Sequence, residues 1–165
     1  GMISILLLKH LGYSVTALTG KQNQIELLHS LGANQVILRE DFLANQDRAL
    51  YPMQFAGAID TVGGEVLIKL LKSLQFSGAV AACGMASSVD LAMQIYPFIL
   101  RGARLLGIYS ADSTLELKKQ IWQKFNTEWC INVSKIVQEI SLEEAPSHLN
   151  KMLEGASLGR KLVNI

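Results

Sequence analysis

The sequence predicts a doubly wound α/β fold on a mostly parallel sheet, and three observations predict it. Ala58-Ile59-Asp60-Thr61-Val62-Gly63-Gly64-Glu65 joins a short apolar run to a helix-like stretch through Asp-Thr and two glycines. A buried parallel strand hands over to its crossover helix in this way, at the sheet edge where such folds bind ligands. Gly78-Ala79-Val80-Ala81-Ala82-Cys83-Gly84 shows the same pattern again. Strand-like and helix-like segments also alternate along the chain, which places helices on both faces of a parallel sheet. No repeat, low-complexity tract or linker divides the 165 residues, so residues 1–165 are expected to form one domain.

The elements follow in order. A helix over 3–11 stops at Gly12, where a glycine just past the helix end supplies a left-handed backbone. Residues 14–19 (SVTALT) read as a strand. Residues 22–31 read as a helix, with Ile25, Leu28 and Leu31 on one face and Gly32 closing it. Residues 35–39 (QVILR) form a short strand, and 40–54 are a polar, irregular or short-helical connection. A strand at 57–62, a helix at 65–75, a strand at 78–83 and a helix near 94–101 come next, then the strand Arg104–Ser110. Ser113-Thr114-Leu115-Glu116 fits a capping box, whose Ser and Glu side chains each satisfy an orphan amide at a helix start. The helix it opens carries Leu117, Ile121, Trp122 and Phe125 on an apolar stripe. Ser141-Leu142-Glu143-Glu144 is a second box, opening a helix that ends near Gly155, and 161–165 (KLVNI) close the chain as a strand.

Composition removes several function classes. Half the residues are hydrophobic, 18% are charged, mean hydropathy is +0.27 and net charge is +1, so nothing draws the chain to nucleic acid or an acidic membrane. Cys83 and Cys130 make no CxxC, which favours a reduced, cytoplasmic protein. His10, His29 and His148 are scattered without metal-ligand partners, so no metal is expected. The opening GMISILLL has no basic residue before it and no small-residue cleavage site, and it is too short to span a bilayer. It reads as an amphipathic helix, with Gly1 as a cloning remnant before Met2.

Thr19-Gly20-Lys21 follows the strand whose end, in NAD-binding folds, carries an acidic residue for the ribose hydroxyls. Here a hydroxyl, a glycine and a cation replace it. A carboxylate would repel a 2′-phosphate, whereas Lys21 would attract one, with Arg39 at the end of the next strand placed to help. The two readings are NADP(H) preference and a solvated turn lysine. Asp60-Thr61-Val62-Gly63-Gly64 offers either close backbone approach for a ligand, with the Thr61 hydroxyl beside it, or a tight turn in which Asp or Thr satisfies the following helix. Asp60 has no partner base and is not expected to be catalytic.

Cys83-Gly84-Met85 would border a nicotinamide ring, with Gly84 allowing contact. Cys83 itself is expected to be a buried structural thiol, since no activating base is signalled. Arg101 and Arg104 either contact a phosphate or complement a helix end. Trp122, Phe125 and Trp129 have helical spacing and are expected in the core or an interface. There is no G-x-S-x-G elbow and no basic–aromatic interleaving for single-strand binding.

Residues 26–34 (ELLHSLGAN), 57–64 (GAIDTVGG), 81–84 (AACG), 97–107 (PFILRGARLLG), 141–146 (SLEEAP) and 159–165 (GRKLVNI) resemble the medium-chain dehydrogenase/reductase superfamily. The resemblance is to its zinc-free quinone oxidoreductase branch, acryloyl-CoA reductase subgroup, and runs over nearly the whole chain in order. It implies a Rossmann-type, NADPH-dependent reductase delivering hydride to the β-carbon of an activated double bond, or to a quinone. Thr19 and Lys21 match the family's adenosine-phosphate contacts, with Arg39 a weaker candidate. Thr61 and Val62 match the segment lining the cofactor ribose, and Gly84, Leu106 and Gly107 match backbone positions around the nicotinamide. Arg160 matches a basic residue near the cofactor phosphates. No catalytic residue is carried over.

In the family a catalytic domain, a first Rossmann strand and a glycine-rich pyrophosphate loop precede this region. The sheet is therefore expected to be truncated, lacking its first strand and glycine-rich loop, and the chain alone is expected not to be catalytically competent. The alternative is a non-catalytic dimerising Rossmann remnant. In the order 3-2-1-4-5-6 the first strand is central. The strands 14–19 and 57–62 are then expected to close onto each other, or a partner chain to fill the gap. The resemblance further implies a homodimer through Arg104–Ser110.

Overall fold

The computed structural model describes residues 1–44 and 48–165, so part of the 40–54 connection, Asn45, Gln46 and Asp47, lies outside the described residues. Among the described residues, three sheets hold seven parallel strands: β1–β2, β3–β4–β5 and β6–β7.

In the first, β1 (Thr16–Thr19) pairs with β2 (Gln35–Leu38), Thr16 opposite Gln35 and Thr19 opposite Leu38. The helix α1 (Met2–His10) and the helix α2 (Ile25–Ser30) cover it, α2 entered through a 3₁₀ turn at Gln22–Gln24. Ile5 of α1, Val15, Ala17, Leu28, Leu31 and Ala33 form its core, joined by Ile136 from far along the chain. Gly12 has φ 82°, as expected where the chain leaves α1 and turns toward β1.

The second sheet is built from β3 (Phe55–Asp60), α4 (Gly64–Lys72), β4 (Leu74–Ala82), α5 (Tyr96–Arg101) and β5 (Arg104–Gly107). Burying Leu67, Leu71, Leu74, Val80 and Ala103 holds it together. β4 begins at Leu74, earlier than expected, because residues between Leu74 and Ala79 loop out of register with β3. Arg101 takes a structural role: Nη1 donates to the carbonyls of Lys72 (2.9 Å) and Leu74 (3.0 Å), and Nη2 to that of Tyr51 (2.5 Å). Arg104 Nη2 likewise donates to Ser77 O at 2.9 Å. Arg101→Met is expected to lower stability by about 1–3 kcal/mol in urea denaturation, since it strips charged donors from carbonyls at the end of α4.

The helix α6 (Leu115–Asn126) leads to a third sheet of β6 (Val137–Ser141) and β7 (Arg160–Asn164), bridged by α7 (Ala145–Leu153). The closing strand was expected, β6 was not: VQEIS is short and polar, and its last residue is also the first of a capping box. That box forms, with Ser141 N donating to Glu144 Oε2 (2.8 Å) and Glu144 N to Ser141 Oγ (3.4 Å). The other box shifts by one residue. Thr114 caps α6, its Oγ1 accepting from Leu117 N, while Ser113 Oγ donates to Tyr109 O. Trp122, Phe125 and Trp129 contact one another in sequence along and just past α6, and Trp122 is 68% exposed, which leaves the interface and not the core as its expected place.

Two further expectations are corrected. β1 and β3 do not pair; they remain edges of separate sheets. Each sheet is fixed by its own core, and a fixed tie spans them. Phe42 of α3 (Arg39–Leu43) packs on Phe55 of β3 at 6.4 Å, and Lys69 Nζ of α4 donates to Ala44 O at 2.8 Å. Lys69 lies between the Phe42 and Tyr51 rings, and burial pushes its pKa down. Closing β1 onto β3 would break this tie. Cys83 is exposed rather than buried, because it follows the last residue of β4 and stands at the open carboxyl end of the sheet.

Candidate nucleotide site

The carboxyl ends of five parallel strands carry the site, as the strand directions require. Two groups of residues assemble there. One is cationic, on β1–β2; the other is built of backbone, on β3–β4–β5.

In the backbone group, Asp60 ends β3 almost fully buried, and its carboxylate accepts from Gly63 N (2.9 Å) and Val62 N (3.3 Å). The turn reading of this motif therefore holds: Asp60 satisfies the amides that lead into α4. The chain after β4 is hydrogen-bonded onto this turn. Cys83 N donates to Asp60 O (2.9 Å), Ala86 N to Thr61 O (3.4 Å) and Ser87 N to Val62 O (2.9 Å). Thr61 and Val62 are half-buried under that loop, and a Cβ on Gly84 would lie 2.7 Å from Thr61 O. Only glycine lets these two loops touch. Leu106 and Gly107 sit opposite Ala81 and Ala82 at the end of β5, with Ile108 N donating to Ala82 O at 2.9 Å.

In the cationic group, Thr19 ends β1 and its Oγ1 accepts from Lys21 N at 3.1 Å. Arg39 follows β2 and its guanidinium lies over Gly20, where a Cβ would stand 3.4 Å from Cζ. Among the described residues, Arg39 Nε is a buried side-chain nitrogen with no hydrogen-bond partner. Lys21 is exposed but tethered: its Nζ donates to Gly155 O (2.7 Å) and Ser157 O (3.2 Å). These two carbonyls were not foreseen, and backbone oxygens leave no mark on a sequence.

Arg160 opens β7. The amino group of Gly1, just before α1, has a lowered pKa, first through burial and then through the Arg160 charge, while Cys83 acts in the opposite direction. Arg160, Cys83 and the start of α1 therefore lie within electrostatic reach of one another. The first turn of α1 has no acidic residue and no side-chain cap. Its unpaired amides make a positive helix end, suited to an anion. Among the described residues no three His, Cys, Asp or Glu side chains converge as a metal site would require. No described helix is long and apolar enough to cross a membrane.

Residues 1–140 match the family described as zinc-binding dehydrogenase. The probable acrylyl-CoA reductase AcuI of Escherichia coli (strain K12) is 39% identical over 166 residues, covering 100% of this chain and 51% of the relative. A crystal structure of E. coli K-12 YhdH with bound NADPH superposes with a TM-score of 0.91 at 39% identity, over 99% of this chain and 50% of that one. That of Bacillus subtilis protein yhfP with NAD bound gives 0.94 at 36% identity, over 99% of this chain and 50% of its own. The chain spans about half the length of the curated relatives it matches.

Proposed function

We propose that this chain, which belongs to the zinc-binding dehydrogenase family within the medium-chain dehydrogenase/reductase superfamily, is the cofactor-binding portion of an NADPH-dependent oxidoreductase. Its substrate class is an activated double bond of the acryloyl-CoA kind, or a quinone. The observation that carries the cofactor choice is the pair of cations at the ends of β1 and β2: Lys21 in a turn, residues 19–21, that holds no carboxylate, and Arg39 over Gly20 with a buried, unpaired Nε. An unpaired buried donor costs free energy that a phosphate oxygen would recover. One relative is solved with NADPH and another with NAD, so the selectivity rests on these two side chains of this chain rather than on kinship.

When bound, the cofactor supplies hydride. The chain's own residues hold it: Lys21 and Arg39 the 2′-phosphate, with Thr19 fixing the turn between them, and the first turn of α1 with Arg160 the pyrophosphate. Thr61 and Val62 line the ribose, and the backbone of Gly84, Leu106 and Gly107 leaves room for the nicotinamide. No acid, base or nucleophile is assigned. Titrating NADPH and NADH into the chain tests the proposal; equal affinity for the two would sink it.

Two partner proposals accompany it. β1 and β3 each expose an unpaired edge, a standing invitation to a further strand. TM-scores of 0.91 and 0.94 over 99% of this chain, against relatives about twice as long, support keeping the two sheets apart around a slot. We assign one parallel strand to that slot, from this protein's own polypeptide or a partner. In the isolated chain, β3 amides not taken by β4 should exchange with solvent freely; slow exchange there without any added strand would count against it. β5 has its own open edge, continued by exposed Ile108 and Tyr109, and a second copy of the chain is assigned to it. Light scattering should give a dimer, and Ile108→Lys a monomer. A dimerising module without turnover is the second reading, favoured by the unfilled edges of β1, β3 and β5.

A further inference from the structure

We propose that Lys21 is a positioning residue: it fastens the 155–160 loop, which leads from the end of α7 to Arg160, against the turn after β1. The inference rests on the cofactor reading for its consequence, but not for its geometry. α7 ends in a Schellman-type turn, in which Gly155, at φ 68°, donates to Met152 O (3.0 Å) and Ala156 N to Lys151 O (2.8 Å). The carbonyls past the helix end lie at its negative pole and attract a cation. Lys21 supplies that cation from 134 residues earlier, reaching Gly155 O at 2.7 Å and Ser157 O at 3.2 Å.

The loop's far end is pinned too. Gly159 has φ 69°, and a Cβ there would stand 2.4 Å from Ile136 O, so only glycine passes over that backbone. Ile136 is buried in the same core as Ile5, Val15 and Ala17, which fixes this end of the loop to the β1–β2 sheet. Arg160 follows at once, and it is held opposite Val137 in the β6–β7 ladder. Lys21 is thus the movable fastener of a loop whose other end is held by packing.

An ammonium group has three donors. Two are taken by the loop, and the third remains for a phosphate oxygen. One side chain therefore contacts the group that distinguishes NADPH from NADH and also braces the loop that leads to Arg160. Loss of Lys21 removes the contact and frees residues 155–158, while Arg160 stays held by its own packed end.

The test starts with nucleotide-free protein. Amide exchange at 155–158 is expected to be about tenfold faster in Lys21→Met than in the unmodified chain, and restored in Lys21→Arg, whose guanidinium can also span two carbonyls. Unchanged exchange in Lys21→Met overturns the proposal. Arg160→Gln, at the packed end of the loop, should leave exchange at 155–158 unchanged; equally fast exchange there in that variant would also overturn it. If the unmodified chain binds no NADPH while the exchange difference stands, the cofactor reading falls and the fastener survives.

Discussion

Replacing Gly63 by alanine is expected to destabilise the protein by about 3–5 kcal/mol, from backbone strain and overpacking together. Gly63 adopts φ 75° and ψ −167°, a region that side chains with a Cβ essentially never occupy. The added Cβ would stand 2.2 Å from Ser88 O, a backbone atom that cannot swing aside. Relief requires moving the loop after β4 or the turn after β3. Either movement loosens the bond from Gly63 N to the buried Asp60 carboxylate, at 2.9 Å. The urea midpoint should fall with an unchanged slope. Gly107→Ala is the control, because a Cβ there meets nothing within 4 Å, and it should cost less than about 1 kcal/mol. Similar losses in the two variants would refute this account of the turn.

Lys21→Ala and Arg39→Ala are each expected to weaken NADPH binding about 10–100-fold while leaving NADH within roughly twofold, as loss of a charge-assisted hydrogen bond to phosphate requires. Arg39 should show the larger effect, since it is half-buried and stacked over Gly20, whereas Lys21 is exposed and shares its donors with the 155–160 loop. NADPH affinity should also fall with added salt, more steeply than that of NADH. Fluorescence titration of the reduced cofactors at two ionic strengths measures all of this. Equal losses for both cofactors would mean that the cations support the fold of the site and do not read the phosphate.

Much of the site was legible in the sequence because its signals are local. A glycine pair after an apolar run, or a lysine where an acid is usual, is visible within a few residues. Asp60 was read as a turn residue without a catalytic partner, and its burial against two amides agrees. What escaped depends on distant chain. The bracing of Lys21 by Gly155 and Ser157 involves backbone oxygens 134 and 136 residues away. The exposure of Cys83 follows from where the β3–β4 ladder stops, at Asp60 opposite Ala82, and not from the apolar residues that precede it. β6 was missed because a five-residue polar strand has little pattern of its own and exists through its ladder to β7.

Apart from β6, the order of β and α units, the parallel direction of the strands and the cations at their carboxyl ends were legible in the sequence alone, since hydrophobic period and turn chemistry act over a few residues. The tertiary structure decided that these units form three sheets instead of one, that β1 and β3 stay apart, and that a lysine of the cofactor turn holds down the end of α7. Strand pairing and carbonyl capture join segments far apart in the chain, and their geometry is set by cores and ties such as Phe42 on Phe55 that no local window contains.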